Sequence, residues 1–198
     1  MGNPWNERFG SEQYVYGEEP NLFIKSQANR LEKGSKVVCF AEGEGRNAVY
    51  LARQGLEVTA YDYAQNGLKK TEALAHRYGV DIKTEQKDLI QDEVPVEEFD
   101  AAIMVFGHFS KQDQKSVFDK LVSAVKSGGI VMLEVYSEDQ IQYGTGGPKT
   151  LDMLYDPKDL LKWVKGFKVM HFFYGEQERV EGQLHTGVGH VIQAIIEK

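Results

Sequence analysis

The sequence has little of three things: cysteine, basic charge and long hydrophobic runs. Cys39 is the only cysteine, so an internal disulfide and a cysteine-based metal cage are excluded. Lys and Arg number 23 against 30 Asp and Glu, and the net charge of −7 argues against non-specific binding to nucleic acid or anionic membranes. No apolar run approaches the roughly 20 residues that span a bilayer, and residues 1–10 are too polar for a signal peptide. We therefore expect a cytoplasmic protein with no nucleic-acid partner, no membrane segment and no metal site.

What the chain does have is the composition of an ordinary globular domain. Hydrophobic residues make up 41% and charged residues 27% of its 198 residues, which is typical of one compact unit. We predict a single domain over residues 1–198, in which residues 1–35 form a helical and aromatic cover and residues 36–198 form the core. The 20 glycines outnumber the five prolines, so the turns of this chain are read mainly from its glycines.

Apolar segments typical of strands alternate with helical patterns along most of the chain. Residues 36–41 are rich in β-forming side chains, as expected of a strand buried on both faces. Further strands are predicted at 56–61, 80–85, 99–106 and 130–135, and helices at 20–31, 47–54, 66–78, 110–126 and from Asp156 onward. The C-terminal segment instead shows two strands, at 167–174 and 187–196, joined by a loop at 175–186. This order predicts an α/β fold with a mostly parallel sheet that ends in an antiparallel hairpin.

The segment between the first predicted strand and the next helix carries a nucleotide-binding pattern. Residues 42–48 read Glu-Gly-Glu-Gly-Arg-Asn-Ala and fit G-x-G-x-x-G/A, in which the glycines let a nucleotide approach the backbone. Asp62 follows the second strand, 19 residues after Gly43, where a carboxylate is placed to accept both hydroxyls of a ribose. The alternative is a tight turn that contains two glycines, with Asp62 as an ordinary turn residue.

The charges around this loop favour a cationic ligand over a pyrophosphate. Glu42 precedes the first glycine and Glu44 lies between the two, and carboxylates there would repel phosphate groups from the helix N-terminus. They suit a ligand that carries an amino group and a sulfonium. Asp88 follows the third predicted strand, where its carboxylate could accept a hydrogen bond from an adenine amino group. The alternative for Asp88 is a helix cap or a loop acid.

Together these features resemble the class I S-adenosylmethionine-dependent methyltransferases over nearly the whole chain. The matching parts are residues 37–47, Asp62, Asp88, residues 99–106 and residues 121–129. The sequence departs from the family at Glu42, where Asp or Gly is usual, and at Ser127, where Pro is common. Within the family, residues 45–47 and 181–185 are most similar to the tellurite-resistance (TehB-like) and thiopurine-like small-molecule methyltransferases.

The resemblance implies that the core is a Rossmann-like, mostly parallel sheet of seven strands, with helices on both faces and the C-terminal hairpin. It implies S-adenosyl-L-methionine as the cofactor, S-adenosyl-L-homocysteine as its product and a small-molecule acceptor such as a thiol or a chalcogen. We expect a monomer or a homodimer. The residues expected to bind the cofactor are Glu42, Gly43, Gly45, Arg46, Asn47, Asp62, Tyr63, Asp88, Leu89 and Phe106.

Two histidines are the candidate catalytic residues. Methyl transfer from a sulfonium needs a base only when the acceptor must lose a proton, because orientation supplies much of the rate. His108 follows the fourth predicted strand and is predicted to lie near the reactive end of the cofactor; the alternative is a loop histidine packed between aromatic rings. The resemblance to the tellurite-resistance enzymes implies that His185 acts as a base. Thr186 replaces the basic residue that follows it in those enzymes, which argues against oxyanion substrates.

Several other segments are candidates for the walls of the same pocket. Glu134 and Tyr136 end the fifth predicted strand and could line it. Residues 144–148 are glycine-rich and are a candidate lid, with an ordinary surface turn as the alternative. A set of N-terminal aromatic residues could cover the pocket, with a plain core or surface patch as the alternative; these are Trp5, Phe9, Tyr14 and Tyr16.

Two other classes of protein remain open from the sequence. Nicotinamide-dependent oxidoreductases use the same glycine loop, but the short-chain dehydrogenases need a Tyr-x-x-x-Lys pair. None of the ten tyrosines is followed by lysine at that spacing. A non-catalytic nucleotide-binding protein is the other alternative. Phosphoryl transfer from a triphosphate is disfavoured because the chain has no G-x-x-x-x-G-K sequence.

Overall fold

The computed structural model describes residues 3–182 and 185–198, with His185 described by its backbone alone. The seven strands are β1 Lys36–Phe40, β2 Glu57–Asp62, β3 Ile82–Gln86, β4 Phe99–Val105, β5 Val125–Tyr136, β6 Lys168–Glu181 and β7 His185–Glu197. The six α-helices are α1 Pro4–Arg8, α2 Leu22–Gln27, α3 Arg46–Arg53, α4 Gln65–Tyr78, α5 Lys111–Ser123 and α6 Pro157–Val164. Short 3₁₀ helices lie at Ala28–Arg30, Glu138–Gln142 and Leu151–Met153.

The strands form one sheet in the order β3-β2-β1-β4-β5-β7-β6. Strands β1 to β5 run parallel to one another, whereas β7 runs antiparallel to both β5 and β6. The predicted fold class is therefore confirmed. Because the parallel strands share one direction, their carboxyl ends meet at a single edge of the sheet, where ligands bind in open α/β folds.

The central strand β1 is buried on both faces, as its sequence predicts. Val37 and Cys39 pack into the core on one side, together with residues of α2, α3 and α4. Val38 and Phe40 pack into the core on the other side, together with residues of α5 and α6. The sheet is thus covered by helices on both faces, and burial of this apolar surface is the main stabilising contribution to the fold.

Local signals set several helix boundaries. The Asn21 side chain caps α2 by accepting from the Ile24 backbone N–H at 3.0 Å, and Asp156 caps α6 by accepting from Lys158 N–H at 2.8 Å. Pro157 fills the first position of α6, where no intrahelical N–H bond is lost. Gly79 ends α4 in the left-handed conformation at φ 66°, which only glycine adopts without strain.

The C-terminal hairpin is longer than predicted, and this corrects the loop at 175–186. Strand β6 continues to Glu181 and pairs with β7 from Glu181 opposite His185 to Lys168 opposite Glu197. The outer half of the hairpin extends past the end of β5 and alternates exposed residues with polar residues that are partly or fully buried, such as Gln177, Arg179 and Glu181, so it lacks the apolar signal of a core strand. His185 therefore begins a strand and does not lie within a long loop.

Other boundaries also differ from the predictions. The predicted helix at 20–31 is α2 followed by a 3₁₀ turn at Ala28–Arg30. Strand β5 begins at Val125, five residues before its predicted start, and its register shifts between Phe99 and Ala101 of the partner strand, as in a β-bulge. Within the residues that the structure describes, no helix combines the length and apolar character of a membrane span.

Candidate functional site

The glycine loop joins β1 to α3 at the carboxyl edge of the sheet. Gly43 and Gly45 both have positive φ, at 68° and 90°. A Cβ on Gly43 would lie 3.2 Å from the Phe9 ring, and one on Gly45 would lie 2.7 Å from the Thr71 side chain. Gly43 lines the cavity, whereas Gly45 is the N-cap of α3 and packs against Thr71 of α4. The prediction that Gly45 contacts a ligand finds no support in its position.

Asp62 fixes the conformation of this loop. Its Oδ2 accepts from the Gly43 backbone N–H at 2.7 Å, and its Oδ1 accepts from Ala64 N–H at 2.7 Å. Burial raises the pKa of the Asp62 carboxyl, and the backbone donors oppose that shift. Each carboxylate oxygen has two lone pairs, so Asp62 can hold the loop and still accept hydrogen bonds from a ligand.

The Glu42 side chain caps the N-terminus of α3. Its Oε1 accepts from the backbone N–H groups of Asn47 and Ala48, at 3.0 Å and 2.7 Å. Burial raises the pKa of the Glu42 carboxyl to about 7, and the helix N–H groups and the Arg46 guanidinium oppose the shift. Near neutral pH this side chain is close to its midpoint of ionisation.

A cavity of about 350 Å³ opens over the loop. It is lined by most of the residues predicted to bind a cofactor or to react with one: Glu42, Gly43, Arg46, Asn47, Asp62, Tyr63, Asp88, Leu89, Phe106 and His108. Gly45 does not line it, and the side chain of His185 lies outside the described part of the chain. Thus ten predicted residues from four segments of the sequence meet in one cavity.

The two acids Asp62 and Asp88 lie at neighbouring strand ends. Asp62 is the last residue of β2, and Asp88 follows β3, which pairs directly with β2. The Asp88 Oδ1 accepts from the Ile90 backbone N–H at 3.0 Å. Leu89 is buried beside it, and Tyr63 is half exposed at the rim. This end of the cavity therefore combines two carboxylates with flat apolar surface.

The opposite wall is aromatic and comes partly from the N-terminal segment. Trp5, Phe9 and Tyr16 line the cavity, as predicted, with Phe106 and Phe109 from the loop after β4. Tyr14 instead packs against α4, where its hydroxyl donates to the Lys70 carbonyl at 3.0 Å. Three of the four N-terminal aromatic residues thus form a cover over the cavity.

Phe106 occupies an unusual backbone conformation for a side-chain-bearing residue. Its φ is 53°, a value that is uncommon outside glycine and is often found at functional sites. The ring stacks on Tyr136 at a centroid distance of 4.3 Å. This strained turn directs the chain after β4 across the cavity and places His108 two residues further on.

His108 is held against the aromatic wall. Its ring centroid lies 5.2 Å from that of Trp5, and its Nε2 is buried without a hydrogen-bond partner among the described residues. Burial lowers the pKa of His108 to about 4, and the nearby Arg8 charge adds to the shift. The imidazole is therefore neutral at physiological pH.

Four groups that were predicted near the cavity do not line it. Glu44 points away from it and forms an ion pair with Lys70 at 2.7 Å. Glu134 lies behind the cavity and pairs with Arg179 at 2.9 Å. Tyr136 supports Phe106 from below and is not part of the lining, and neither are residues 144–148. The negative charge that faces the cavity comes from Glu42, Asp62 and Asp88.

Some lining residues were not predicted. Lys87 and Ile90 flank Asp88 and Leu89 and also line the cavity. In the sequence, their position next to Asp88 and Leu89 could have predicted that they line the cavity. Phe109 follows His108 and lines the cavity next to it, but nothing in the local pattern separates a lining phenylalanine from a core one.

Comparisons with known proteins agree with this arrangement. Residues 37–129 match a family described as a methyltransferase domain. The chain is 24% identical over 170 residues to the uncharacterized methyltransferase YbaJ of Bacillus subtilis (strain 168), an alignment that covers 78% of this chain. The chain spans 66% of the length of that relative, which is just under two thirds.

Solved structures share the fold over most of the chain. TehB from Haemophilus influenzae has a TM-score of 0.75 at 16% identity, covering 90% of this chain and 62% of that one. A protein studied for the conversion of a disulfide bond into a thioacetal group during echinomycin biosynthesis also has a TM-score of 0.75 at 16% identity, covering 96% and 88% of the two chains. A TehB-like S-adenosylmethionine-dependent methyltransferase from Corynebacterium glutamicum has a TM-score of 0.63 at 16% identity, covering 98% and 94%. The match over residues 37–129 and the shared fold support a class I S-adenosylmethionine-dependent methyltransferase that is similar to TehB in structure.

Proposed function

We propose that this protein transfers the methyl group of S-adenosyl-L-methionine to a small-molecule acceptor and releases S-adenosyl-L-homocysteine. One observation carries the proposal. A single cavity combines the acids Asp62 and Asp88 at one end with an aromatic wall and an unpaired histidine nitrogen at the other. The acids suit the hydroxyl and amino donors of a nucleoside, and the aromatic faces suit a sulfonium cation.

The residues at the acidic end fit the nucleoside part of this cofactor. Asp62 is oriented by two backbone N–H bonds and would accept from the ribose hydroxyls with its remaining lone pairs. Asp88 is placed one strand further along and would accept from the adenine amino group. Tyr63 and Leu89 would flank the base, since both line the cavity on that side.

The loop residues fit the amino-acid part of the cofactor. Arg46 and Asn47 line the cavity at the start of α3, where a carboxylate is favoured by the helix dipole and by the guanidinium. Glu42 lies beside them and would accept from the ammonium group. Because an ammonium favours the charged form of a carboxyl, binding would lower the raised pKa of Glu42.

When bound, the cofactor supplies a methyl group attached to a sulfonium sulfur. Transfer of the methyl group to the acceptor leaves that sulfur as a neutral thioether. The chain contributes by holding the acceptor in line with that methyl group and by excluding water, and such positioning accounts for much of the barrier reduction in well-oriented reactions. Trp5, Phe9 and Tyr16 close the cavity on the acceptor side. A small acceptor with apolar surface fits this wall, and we propose a thiol or a related soft nucleophile.

His108 is the proposed hydrogen-bond acceptor on the side of the methyl acceptor. A neutral imidazole offers one ring nitrogen as an acceptor, and the pKa of about 4 keeps the ring neutral throughout the physiological range. The Nε2 atom lacks a partner among the described residues, so a thiol or hydroxyl proton would complete its hydrogen bonding. His185 stays a predicted base, because the structure describes only its backbone.

Calorimetry on the full chain tests the proposal most directly. We expect saturable binding of S-adenosyl-L-methionine and of S-adenosyl-L-homocysteine, and no comparable binding of NAD. Preference for NAD would instead support a nicotinamide-dependent oxidoreductase. Binding of the methionine cofactor without methyl transfer to any of a panel of small thiols, chalcogen anions, amines and carboxylates would support a non-catalytic nucleotide-binding protein.

A further inference from the structure

A buried polar cluster lies behind the cavity, between α2 and the C-terminal hairpin. It consists of Asn21, Glu134, Arg179, Glu181 and Gln193, all of them buried. Glu134 lies on β5, Arg179 and Glu181 on β6 and Gln193 on β7. Buried polar groups are expected to have hydrogen-bond partners, so each donor and acceptor of this cluster can be accounted for.

Each carboxylate oxygen of the cluster accepts at least one hydrogen bond. Glu134 Oε1 accepts from Asn21 Nδ2 and Arg179 Nη1, both at 2.9 Å, and its Oε2 accepts from Gln193 Nε2 at 2.5 Å. Glu181 Oε1 accepts from Asn21 Nδ2 at 3.2 Å, and its Oε2 accepts from Arg46 Nη1 at 2.6 Å. Each glutamate is thus also paired with a guanidinium.

The arginine of the cluster is not fully used. The Arg179 side chain is only 2% exposed, and its Nε and Nη2 have no hydrogen-bond partner among the described residues. These two nitrogens share one edge of the guanidinium, and such an edge donates two parallel N–H bonds to the two oxygens of a carboxylate. The face of the guanidinium lies over the Phe106 ring at 4.7 Å, which leaves its edges for hydrogen bonds.

A cleft adjoins this arginine. It has a volume of about 260 Å³ and lies between α2 and β6, with Arg179, Gln177 and His171 on the strand side. Ser26 and Gln27 of α2 form the opposite wall. The volume is several times the roughly 30 Å³ that one water molecule occupies in the liquid, so the cleft has room for a small organic molecule.

We propose that this cleft is a second ligand site, which takes a small carboxylate on the Nε and Nη2 edge of Arg179. The two Arg179 nitrogens without a partner are donors, so the ligand must bring acceptor oxygens. Glu181 does not oppose an anion strongly, because Arg46 neutralises it at 2.6 Å. The site is separate from the proposed cofactor cavity, with which it shares none of its lining residues.

Acetate is the probe for this proposal, and the arginine Nε–H resonances of the full ¹⁵N-labelled chain report on it. The Arg179 resonance is assigned by its loss in Arg179→Lys. We expect acetate, added at constant ionic strength against chloride, to shift this resonance saturably, both with and without saturating S-adenosyl-L-homocysteine. A linear shift or none at all would show that no carboxylate binds this edge and would overturn the proposal.

Competition separates this site from the cofactor cavity. If S-adenosyl-L-homocysteine abolished the acetate response, the Arg179 edge would belong to the cofactor site and the second site would be overturned. The proposed methyl transfer would be unaffected by that outcome. Conversely, a saturable acetate response in a chain that binds no S-adenosyl-L-homocysteine would retain the second site and reject the proposed function.

A variant at the mouth of the cleft avoids disturbing the buried ion pair. Ser26 lies on the exposed edge of α2, so Ser26→Trp should fill the cleft without breaking the cluster. We expect it to weaken acetate binding at least tenfold while the Arg179 resonance persists. Ser11→Trp, at an exposed position outside the cleft, is the matched control and should leave acetate binding unchanged. Equal affinities in the two variants would contradict the assignment of the cleft.

Discussion

At the scale of single residues, burial sets the proton affinities of the cavity, and Glu42 shows the effect most directly. Its pKa is raised to about 7 from an ordinary value in the unfolded chain. Between these two pKa values the folded state binds more protons than the unfolded state, so the free energy of unfolding falls as pH rises through that window. Above pH 7 the charged carboxyl remains a constant destabilising contribution.

Glu42→Gln removes this contribution but keeps the Oε1 acceptor for Asn47 and Ala48. We expect the variant and the wild type to be similarly stable near pH 4. As pH rises to about 8 the variant should become more stable by up to about 3 kcal/mol, the free energy that corresponds to such a pKa difference. Urea unfolding at several pH values measures this. A stability difference that does not change with pH would contradict the raised pKa.

Asp62 tests the cofactor end of the cavity. Asp62→Ala should weaken binding of S-adenosyl-L-homocysteine by about 1–3 kcal/mol, because the hydroxyl donors and the Gly43 N–H would lose their acceptor. Asp81→Ala removes an exposed carboxylate outside the cavity and serves as the control for net charge. Calorimetry on both variants gives the affinities. Unchanged affinity in Asp62→Ala would remove Asp62 from the cofactor site.

His108 tests the acceptor end. His108→Phe retains an aromatic ring beside Trp5 but has no nitrogen acceptor, so we expect turnover to fall about tenfold, as the loss of one hydrogen bond to the reacting group would cause. Affinity for S-adenosyl-L-homocysteine should be retained. Because the pKa of His108 is about 4, the pH profiles of turnover for the wild type and for His108→Phe should have the same shape near pH 6.5. Full activity in His108→Phe would make this histidine a packing residue.

Residue roles were predictable where the relevant partners are close in sequence. Asp62 and Asp88 each follow a strand, so the strand pattern alone placed them at the cavity. Glu44 and Glu134 also lie at loop or strand ends, yet they turn away because of Lys70 and Arg179. Those partners are distant along the chain, and no local pattern indicates them.

At the scale of elements, the hairpin and the N-terminal cover meet at Gly182. Gly182 has φ 66°, and a Cβ there would lie 2.6 Å from the Gly17 backbone nitrogen. This contact brings the end of β6 against the segment that carries Tyr16. The cover is held on its other side by Glu44, whose Oε2 accepts from Val15 N–H at 2.9 Å.

Gly182→Ala should therefore displace the cover, and Gly79→Ala is its matched control. Both glycines have φ 66°, but a Cβ on Gly79 meets nothing within 4 Å. We expect Gly79→Ala to cost only the left-handed strain, about 1–2 kcal/mol, and Gly182→Ala to cost more. Urea unfolding gives both values, and limited proteolysis within residues 3–19 should accelerate only in Gly182→Ala. Equal effects of the two substitutions would show that the contact between Gly182 and Gly17 contributes nothing to the position of the cover or to stability.

The hydrophobic pattern of the sequence predicted only the half of the β6–β7 hairpin that packs on the core. The half of β6 and β7 that pairs within the sheet has the apolar side chains of a core strand, and it was predicted. The outer half carries exposed glutamates at 176 and 178 and exposed valines at 180 and 188, and the side chains that it buries, Arg179 and Glu181, are charged. Its strand character therefore depends on pairing between the two arms and not on burial of apolar surface. Hydrophobic periodicity does not report that kind of stabilisation.

At the scale of the whole molecule, one buried ion pair joins the two ends of the fold. Arg46 begins α3 beside the glycine loop, and Glu181 ends β6, 135 residues later. Their side chains are 8% and 3% exposed, and Nη1 lies 2.6 Å from Oε2. The alternation of strands and helices predicted the sheet itself, but this contact between the loop and the hairpin arises only when the full sheet is assembled.

A double-mutant cycle measures what this contact contributes to the assembled molecule. Arg46→Met leaves the Glu181 charge buried without its guanidinium, and Glu181→Gln leaves Arg46 without its carboxylate, so each change should destabilise the fold by about 3–5 kcal/mol. The double variant should cost clearly less than the sum, because neither charge is then left alone. Lys115→Met and Asp119→Asn break an exposed pair on α5 and should show coupling below about 1 kcal/mol. Additive costs in the buried pair would mean that the glycine loop and the hairpin are held together by packing alone.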